Sequence, residues 1–173
     1  PEGMLTVLSP TGIQVLDPEK GSVEPDWMSV TWDVESARKN GYPYFMLKEI
    51  HEQPEALLRT LKPRIKDGLP DFSGEEIPDS LLKDCQRISI VACGTAMYAG
   101  MVGKSLMEPL LKIPVSVHIA SEFRYEHPLV TKDTLVIVIS QSGETIDTLA
   151  ALRLAKEEGA KVLSVVNVKG ATI

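Results

Sequence analysis

Thr134-Leu-Val-Ile-Val-Ile139 carries no charge and is built almost wholly from β-branched residues. A run of this kind is a strand buried on both faces, which is the signature of a parallel sheet covered by helices on either side. Residues 146–158 follow with an amphipathic helical pattern. Between the two stands Ser140-Gln-Ser-Gly-Glu-Thr145, a corner rich in hydroxyls where a strand ends and a helix begins. The same alternation recurs around it. Residues 87–92 read as a strand, 95–107 as a helix closed by Pro109, 115–119 as a strand and 162–166 as another, with Gly159 capping the helix between. Ser121 to Tyr125 reads as a helical turn ended by His127-Pro128. Strands alternating with helices imply right-handed crossovers, a parallel sheet and an α/β class.

Before residue 87 the chain reads differently. Residues 4–16 form a hairpin, with Met4–Leu8 and Ile13–Leu16 extended around Pro10-Thr11-Gly12. Two strands alone are marginal in water, so this hairpin is expected to belong to a larger sheet. Residues 17–43, broken by Pro18, Gly21, Pro25, Gly41 and Pro43, read as a linker. Trp27 and Trp32 are expected to pack it onto something. Met46, Leu47, Ile50, Leu57, Leu58 and Leu61 follow a helical period from Tyr44, with Pro54 expected to kink that helix or start a second one. Residues 62–80 read as a loop and Pro78–Asp84 as a short helical turn. The chain opens at Pro1 and closes at Ile173 directly on strand-like segments, and both ends are expected to continue into a longer polypeptide.

The 140–145 corner suits a phosphate group. The first N–H groups of a helix have no partner within it, and its dipole adds partial positive charge there. Gly143 lets the backbone approach a ligand closely. Ser140, Ser142 and Thr145 offer hydroxyls. A plain N-cap stands as the alternative. A nucleophile elbow is disfavoured, because Ser140 and Glu144 occupy positions where that turn needs glycine. Neither a P-loop nor a G-x-G-x-x-G run is present. A second corner, Cys93-Gly94-Thr95, again sets a glycine and a hydroxyl at the end of a strand and the start of a helix. Two such helix N-termini at strand carboxyl ends can converge on one anion. Ala96, Ala99, Gly100 and Gly103 fall on neighbouring positions of the second helix, where small side chains permit close approach to the sheet or to another helix.

Composition narrows the function classes. The formal net charge of −6 argues against a nucleic-acid or anionic-membrane surface. An acidic protein that binds phosphate must build its positive potential locally, from backbone amides and helix N-termini. The two cysteines, Cys85 and Cys93, flank one strand and lie in no metal-ligand spacing. They read as reduced thiols of a cytoplasmic protein. No signal segment or membrane-spanning stretch is seen. Cys93 reads as a small buried residue closing a strand, His118 as a structural strand residue and His127 as a loop residue. Glu122 and Arg124 are expected to pair with each other or a partner chain. Lys156-Glu157-Glu158 reads as a solvated helix face.

Four ordered motifs carry a resemblance over nearly the whole chain. They are Gly41-Tyr-Pro-Tyr-Phe-Met-Leu-Lys-Glu-Ile-His-Glu-Gln-Pro54, Cys93-Gly-Thr-Ala96, Ala120-Ser-Glu-Phe-Arg-Tyr125 and Ser140-Gln-Ser-Gly-Glu-Thr-Ile-Asp-Thr-Leu149. Together they resemble the glutamine–fructose-6-phosphate aminotransferases, also called glucosamine-6-phosphate synthases. The S-x-S-G-x-T run alone indicates only the wider sugar isomerase (SIS) class, and the segment before residue 54 narrows it. The resemblance implies a three-layer, flavodoxin-like parallel-sheet SIS domain. Residues 1–40 would be the last hairpin of a glutaminase domain and a linker. Residues 41–173 would be the first SIS half, truncated at its C-terminus.

The implied reaction takes ammonia from glutamine and converts fructose 6-phosphate to glucosamine 6-phosphate, with no metal or organic cofactor. The implied partners are fructose 6-phosphate or glucosamine 6-phosphate, glutamine through the glutaminase part, and a second copy in a homodimer. The implied phosphate cradle is Ser140, Gln141, Ser142, Gly143 and Thr145, with Gly94, Thr95 and Ala96 on the neighbouring loop. Many members carry serine where this chain has Ala96, so one hydroxyl is missing while the backbone amide remains. The family's N-terminal cysteine nucleophile is not matched by Pro1, and its lysine, glutamate and histidine of the isomerase step belong to later segments. No catalytic residue is therefore assigned in this chain, which is expected to be inactive alone. The alternative is a non-catalytic sugar-phosphate-binding SIS module of the kind regulators use, though neither a helix-turn-helix nor a basic patch is seen. A Rossmann dinucleotide domain is disfavoured by the missing glycine fingerprint.

Overall fold

The computed structural model describes residues 3–25, 27, 38–75 and 77–173. Pro1 and Trp32 lie outside the described residues, as do residues 26 and 28–37 of the stretch read as a linker. The chain divides into two compact units, Pro1–Lys62 and Pro63–Ile173.

The first unit begins with β1 (Leu5–Ser9), β2 (Gly12–Asp17) and β3 (Gly21–Val23), an antiparallel sheet in that order. The hairpin is where the sequence places it. The third strand is not, because residues 17–43 read as linker. Asp17 Oδ1 accepts from the N–H groups of Glu19 (2.8 Å) and Lys20 (3.0 Å), which folds residues 17–20 into a turn. Pro18, which reads as a breaker, is part of that turn, and Gly21, another, opens β3 at φ +78°. Trp27 is 70% exposed, so the packing expected of it is slight.

Helix α1 (Phe45–Leu61) runs through Pro54 as one element rather than starting afresh. Proline has no N–H to give to the Ile50 carbonyl, yet i,i+4 ion pairs on either side, Lys48–Glu52 and Glu55–Arg59, support the helix. Lys48 is buried, and its ammonium donates to the Arg38 carbonyl at 2.7 Å.

In the second unit, the stretch read as loop holds a small ladder of β4 (Ile65–Lys66) and β5 (Leu69–Pro70). It also holds the expected helical turn, α2 (Asp79–Leu82). The regular alternation follows as β6 (Arg87–Ala92), α3 (Gly94–Leu111), β7 (Val115–Ile119), α4 (Ala120–Phe123), β8 (Thr134–Ser140), α5 (Ile146–Glu157) and β9 (Lys161–Val166). The sheet order is β7-β6-β8-β9, and all three pairings are parallel. Counted along the chain this is 2-1-3-4, the order with which a flavodoxin-like doubly wound sheet begins.

Side-chain alternation splits the core in two. Val91, Val136 and Val138 pack with Ala120 and Phe123 of α4 and Ala151, Leu152 and Ala155 of α5. Ile88, Ile90, Val115, Leu135 and Ile137 face the other way, with Met107 of α3 against them. The architecture is therefore the three-layer α/β sandwich that the alternation implies. Of the small residues on α3, Gly100 and Gly103 face this sheet, whereas Ala99 is exposed. A Cβ on Gly100 would stand 2.8 Å from Ile90 Cγ2, so the helix lies closer to β6 than any larger residue permits. Pro109 does not close α3. It sits in the last turn, and the helix ends at Lys112, left-handed at φ 58°, whose N–H returns to the Glu108 carbonyl. The far end of α5 is closed as expected: Gly159 and Ala160 donate to the carbonyls of Lys156 (3.0 Å) and Ala155 (2.9 Å).

Candidate functional site

β6 lies between β7 and β8, and its connection through α3 leads to β7, while the connection from β8 through α5 leads the opposite way to β9. The sheet reverses direction between β6 and β8. Open α/β sheets form their ligand crevice at such a point, beyond the carboxyl ends of the two strands. The register pairs Ala92 with Ile139, so the two chains leave the sheet side by side, one as Cys93-Gly94 and the other as Ser140-Gln141. All eight residues singled out from the sequence lie at these two strand-to-helix corners: Gly94, Thr95 and Ala96 in the first turn of α3, and Ser140, at the end of β8, with Gln141, Ser142, Gly143 and Thr145 before α5.

The first loop is tight. Gly94 has φ +57°, a left-handed value, and α3 begins at once. Thr95 is exposed and Ala96 half-buried. The second loop is held from within. Ser140 is buried, its Oγ accepts from the Gly143 N–H at 3.0 Å, and it lies 3.3 Å from Thr145 Oγ1. Ser142 Oγ accepts from the Glu144 N–H at 3.2 Å, which leaves its own O–H for a further acceptor. Gln141 and Ser142 are exposed at the crest, whereas Gly143 is buried beneath them. Gly143 has φ +71°, and a Cβ there would stand 2.7 Å from Val166 Cγ1 and collide with the Ala171 side chain.

The N-cap alternative fares poorly. Cys93 and Thr145 occupy the caps of α3 and α5, and neither makes a side-chain capping hydrogen bond. The hydroxyls shape the loop or face outward instead of closing the helix. The N-terminal amides of both helices then supply partial positive charge without a lysine or arginine. Asp147 in the first turn of α5 opposes this in part.

The remaining titratable residues fall elsewhere. His118 is edge-on to Phe123, with Nε2 2.9 Å from Ser116 Oγ and Nδ1 3.3 Å from Glu126 Oε2, which accords with a structural strand residue. His127 is an exposed loop residue at φ 48°. Arg124 lies over the Tyr125 ring and donates to its hydroxyl, and Glu122 accepts from Ser121 Oγ. Both cysteines are free and half-buried. Among the described residues no helix is long and apolar enough to cross a membrane.

The SIS domain family model matches residues 81–173. Over 168 residues the chain is 49% identical to the isomerizing glutamine–fructose-6-phosphate aminotransferase of Clostridium tetani, covering 96% of this chain and 28% of that protein. The protein of the same name from Thermus thermophilus is 42% identical over 174 residues, again covering 28% of its length. The chain thus spans little more than a quarter of the curated relatives it matches. Among solved structures, the C-terminal domain of glucosamine-fructose-6-phosphate aminotransferase from Francisella tularensis is similar at 41% identity and a TM-score of 0.70. That match covers 78% of this chain and 37% of that one. The resemblance read from the four motifs is borne out.

Proposed function

The chain belongs to the SIS domain family, and we propose that its 94–96 and 140–145 loops hold the phosphate of a hexose 6-phosphate. The observation that carries the reading is the pair of helix N-termini at neighbouring strand ends, where neither cap is closed by a side chain. The ligand is fructose 6-phosphate or glucosamine 6-phosphate, bound as part of a glutamine-dependent aminotransferase that makes the latter. Similarity to the named aminotransferases reaches well before residue 81, which favours this over a stand-alone SIS module. On this reading residues 1–40 end a glutaminase part, and residues 41–173 belong to the first SIS half. The protein works in the cytoplasm without a metal or organic cofactor.

The cradle places substrate but moves no proton. Its donors are hydroxyls, backbone amides and a glutamine, none of which is a general base near neutral pH, and the one carboxylate of the loop, Glu144, is engaged at both oxygens by Thr172. The 173-residue chain therefore binds without turnover. Incubated with fructose 6-phosphate and ammonium, it is expected to form no hexosamine above background. Turnover that Ser142→Ala abolishes would contradict this. In calorimetric titration with glucose 6-phosphate, Ser142→Ala is expected to weaken binding by about 1–3 kcal/mol, the scale of a hydrogen bond to a charged group. An unchanged affinity would leave Ser142 only a loop-shaping role.

The chain pairs with a second copy. Gly100 is taken up by β6, but Tyr98, Val102, Leu106 and Leu110 recur every four residues of α3 and are each at least 60% exposed. One apolar stripe of this kind favours association. Sedimentation should show a dimer, and a monomer at high concentration would refute it.

A further inference from the structure

We infer that Glu144 is a positioning residue, which fastens the segment after β9 against the 140–145 loop and so fixes that loop's donors for a phosphosugar. The inference rests on the phosphosugar reading above. Thr172 donates twice to Glu144, from its N–H to Oε1 at 2.8 Å and from its hydroxyl to Oε2 at 2.7 Å. The N–H of Ile173 donates to the Gly143 carbonyl at 3.0 Å. Ala171 and Val166 close on the side of Gly143 where a Cβ would be. Three hydrogen bonds and a close contact thus join residues 143–144 to a segment 28 positions further along the chain.

The arrangement solves two problems at once. A carboxylate beside a phosphate site repels the ligand. Here both carboxylate oxygens are turned to Thr172, and each receives a donor. The hydroxyl and then the backbone N–H of Thr172 hold the Glu144 carboxyl below the usual range. A depressed folded-state value stabilises above the unfolded one and is lost as pH falls through it. The clamp is accordingly intact at neutral pH. The second problem is the loop itself, which is anchored from inside by Ser140 through the Gly143 N–H. Glu144 anchors it from outside. Gln141 and Ser142 are left exposed at the crest between two fixed points.

Three variants of the 173-residue chain test the inference, each measured twice. Amide hydrogen exchange reads the order of residues 141–145, and calorimetry reads affinity for glucose 6-phosphate. Thr172→Val removes one donor and keeps the shape and the N–H. Glu144→Gln removes one acceptor. Each is expected to speed loop exchange and weaken affinity by about tenfold, the factor that one charge-assisted hydrogen bond supplies. Thr172→Ser, which restores the hydroxyl, is expected to match the wild type in both. Unchanged loop exchange and affinity in Thr172→Val would overturn the inference. So would a Thr172→Ser chain as impaired as Thr172→Val, since that result is loss of packing. A wild-type chain that ignores glucose 6-phosphate would refute the phosphosugar reading alone, and exchange in Thr172→Val would still decide whether Glu144 orders the loop.

Discussion

Gly143→Ala is expected to destabilise the chain by about 2–5 kcal/mol and to abolish phosphosugar binding. The estimate adds a left-handed backbone borne by an L-residue, roughly 1–2 kcal/mol, to overpacking of a filled site, roughly 1–3 kcal/mol. Both apply at this position: φ is +71°, and the new methyl would meet Val166 and Ala171. Ala171 can give way only by moving the 171–173 segment, which would break the bonds of Thr172 and Ile173 to the loop. Gly103→Ala serves as the control. Its φ is ordinary, and its new methyl would stand 3.1 Å from Met107 Cε, the far end of a flexible side chain. That variant is expected to stay within about 1 kcal/mol of wild type. Urea unfolding of the two variants checks the contrast. Equal stability would show that the 143 position is not confined.

Phe123→Ala is expected to cost about 3–5 kcal/mol, the usual range for emptying a buried aromatic site. Phe123 is fully buried on α4 within the cluster of Val91, Val136 and Val138. α4 is only four residues long and cannot hold itself together. It persists because Phe123 and Ala120 are sunk into the sheet face that α5 also covers. Total stabilities of single domains run to about 5–15 kcal/mol, so the loss should shift the urea midpoint far. A loss under about 1 kcal/mol would mean that α4 is not part of the core.

Much of the second unit was legible because its two central strands are largely apolar on both faces. β8 stands where the unbroken Leu, Val and Ile run stands, β6 where a like run is broken only by Ser89, and the corners between them and their helices mark the crevice. Short elements carried no such signal. β3 has three residues, the turn before it uses Pro18, and β3 itself opens on Gly21, both of which read as breakers. Pro109 does not stop α3, because its missing N–H costs the helix one hydrogen bond, to the Ser105 carbonyl, with only Leu110 and Leu111 still to follow. The small residues of α3 left two readings open, and only the sheet contact of Gly100 decided between them. Glu144 had no legible role, because its partner Thr172 lies far along the chain and nothing in a six-residue motif points there. The hydroxyls were legible as a set but not in their division of labour: Ser140 turns inward to hold the loop, and Ser142 remains at the crest.

Amide chemical-shift mapping during titration with fructose 6-phosphate, with plain fructose as the control, tests the central claim most directly. The account predicts saturable shifts for fructose 6-phosphate that are largest at residues 94–96 and 141–147, the two helix N-termini beside the sheet reversal. Plain fructose should leave those amides unmoved. Equal shifts with both sugars, or shifts centred on the His118 side of the sheet with these amides silent, would contradict it.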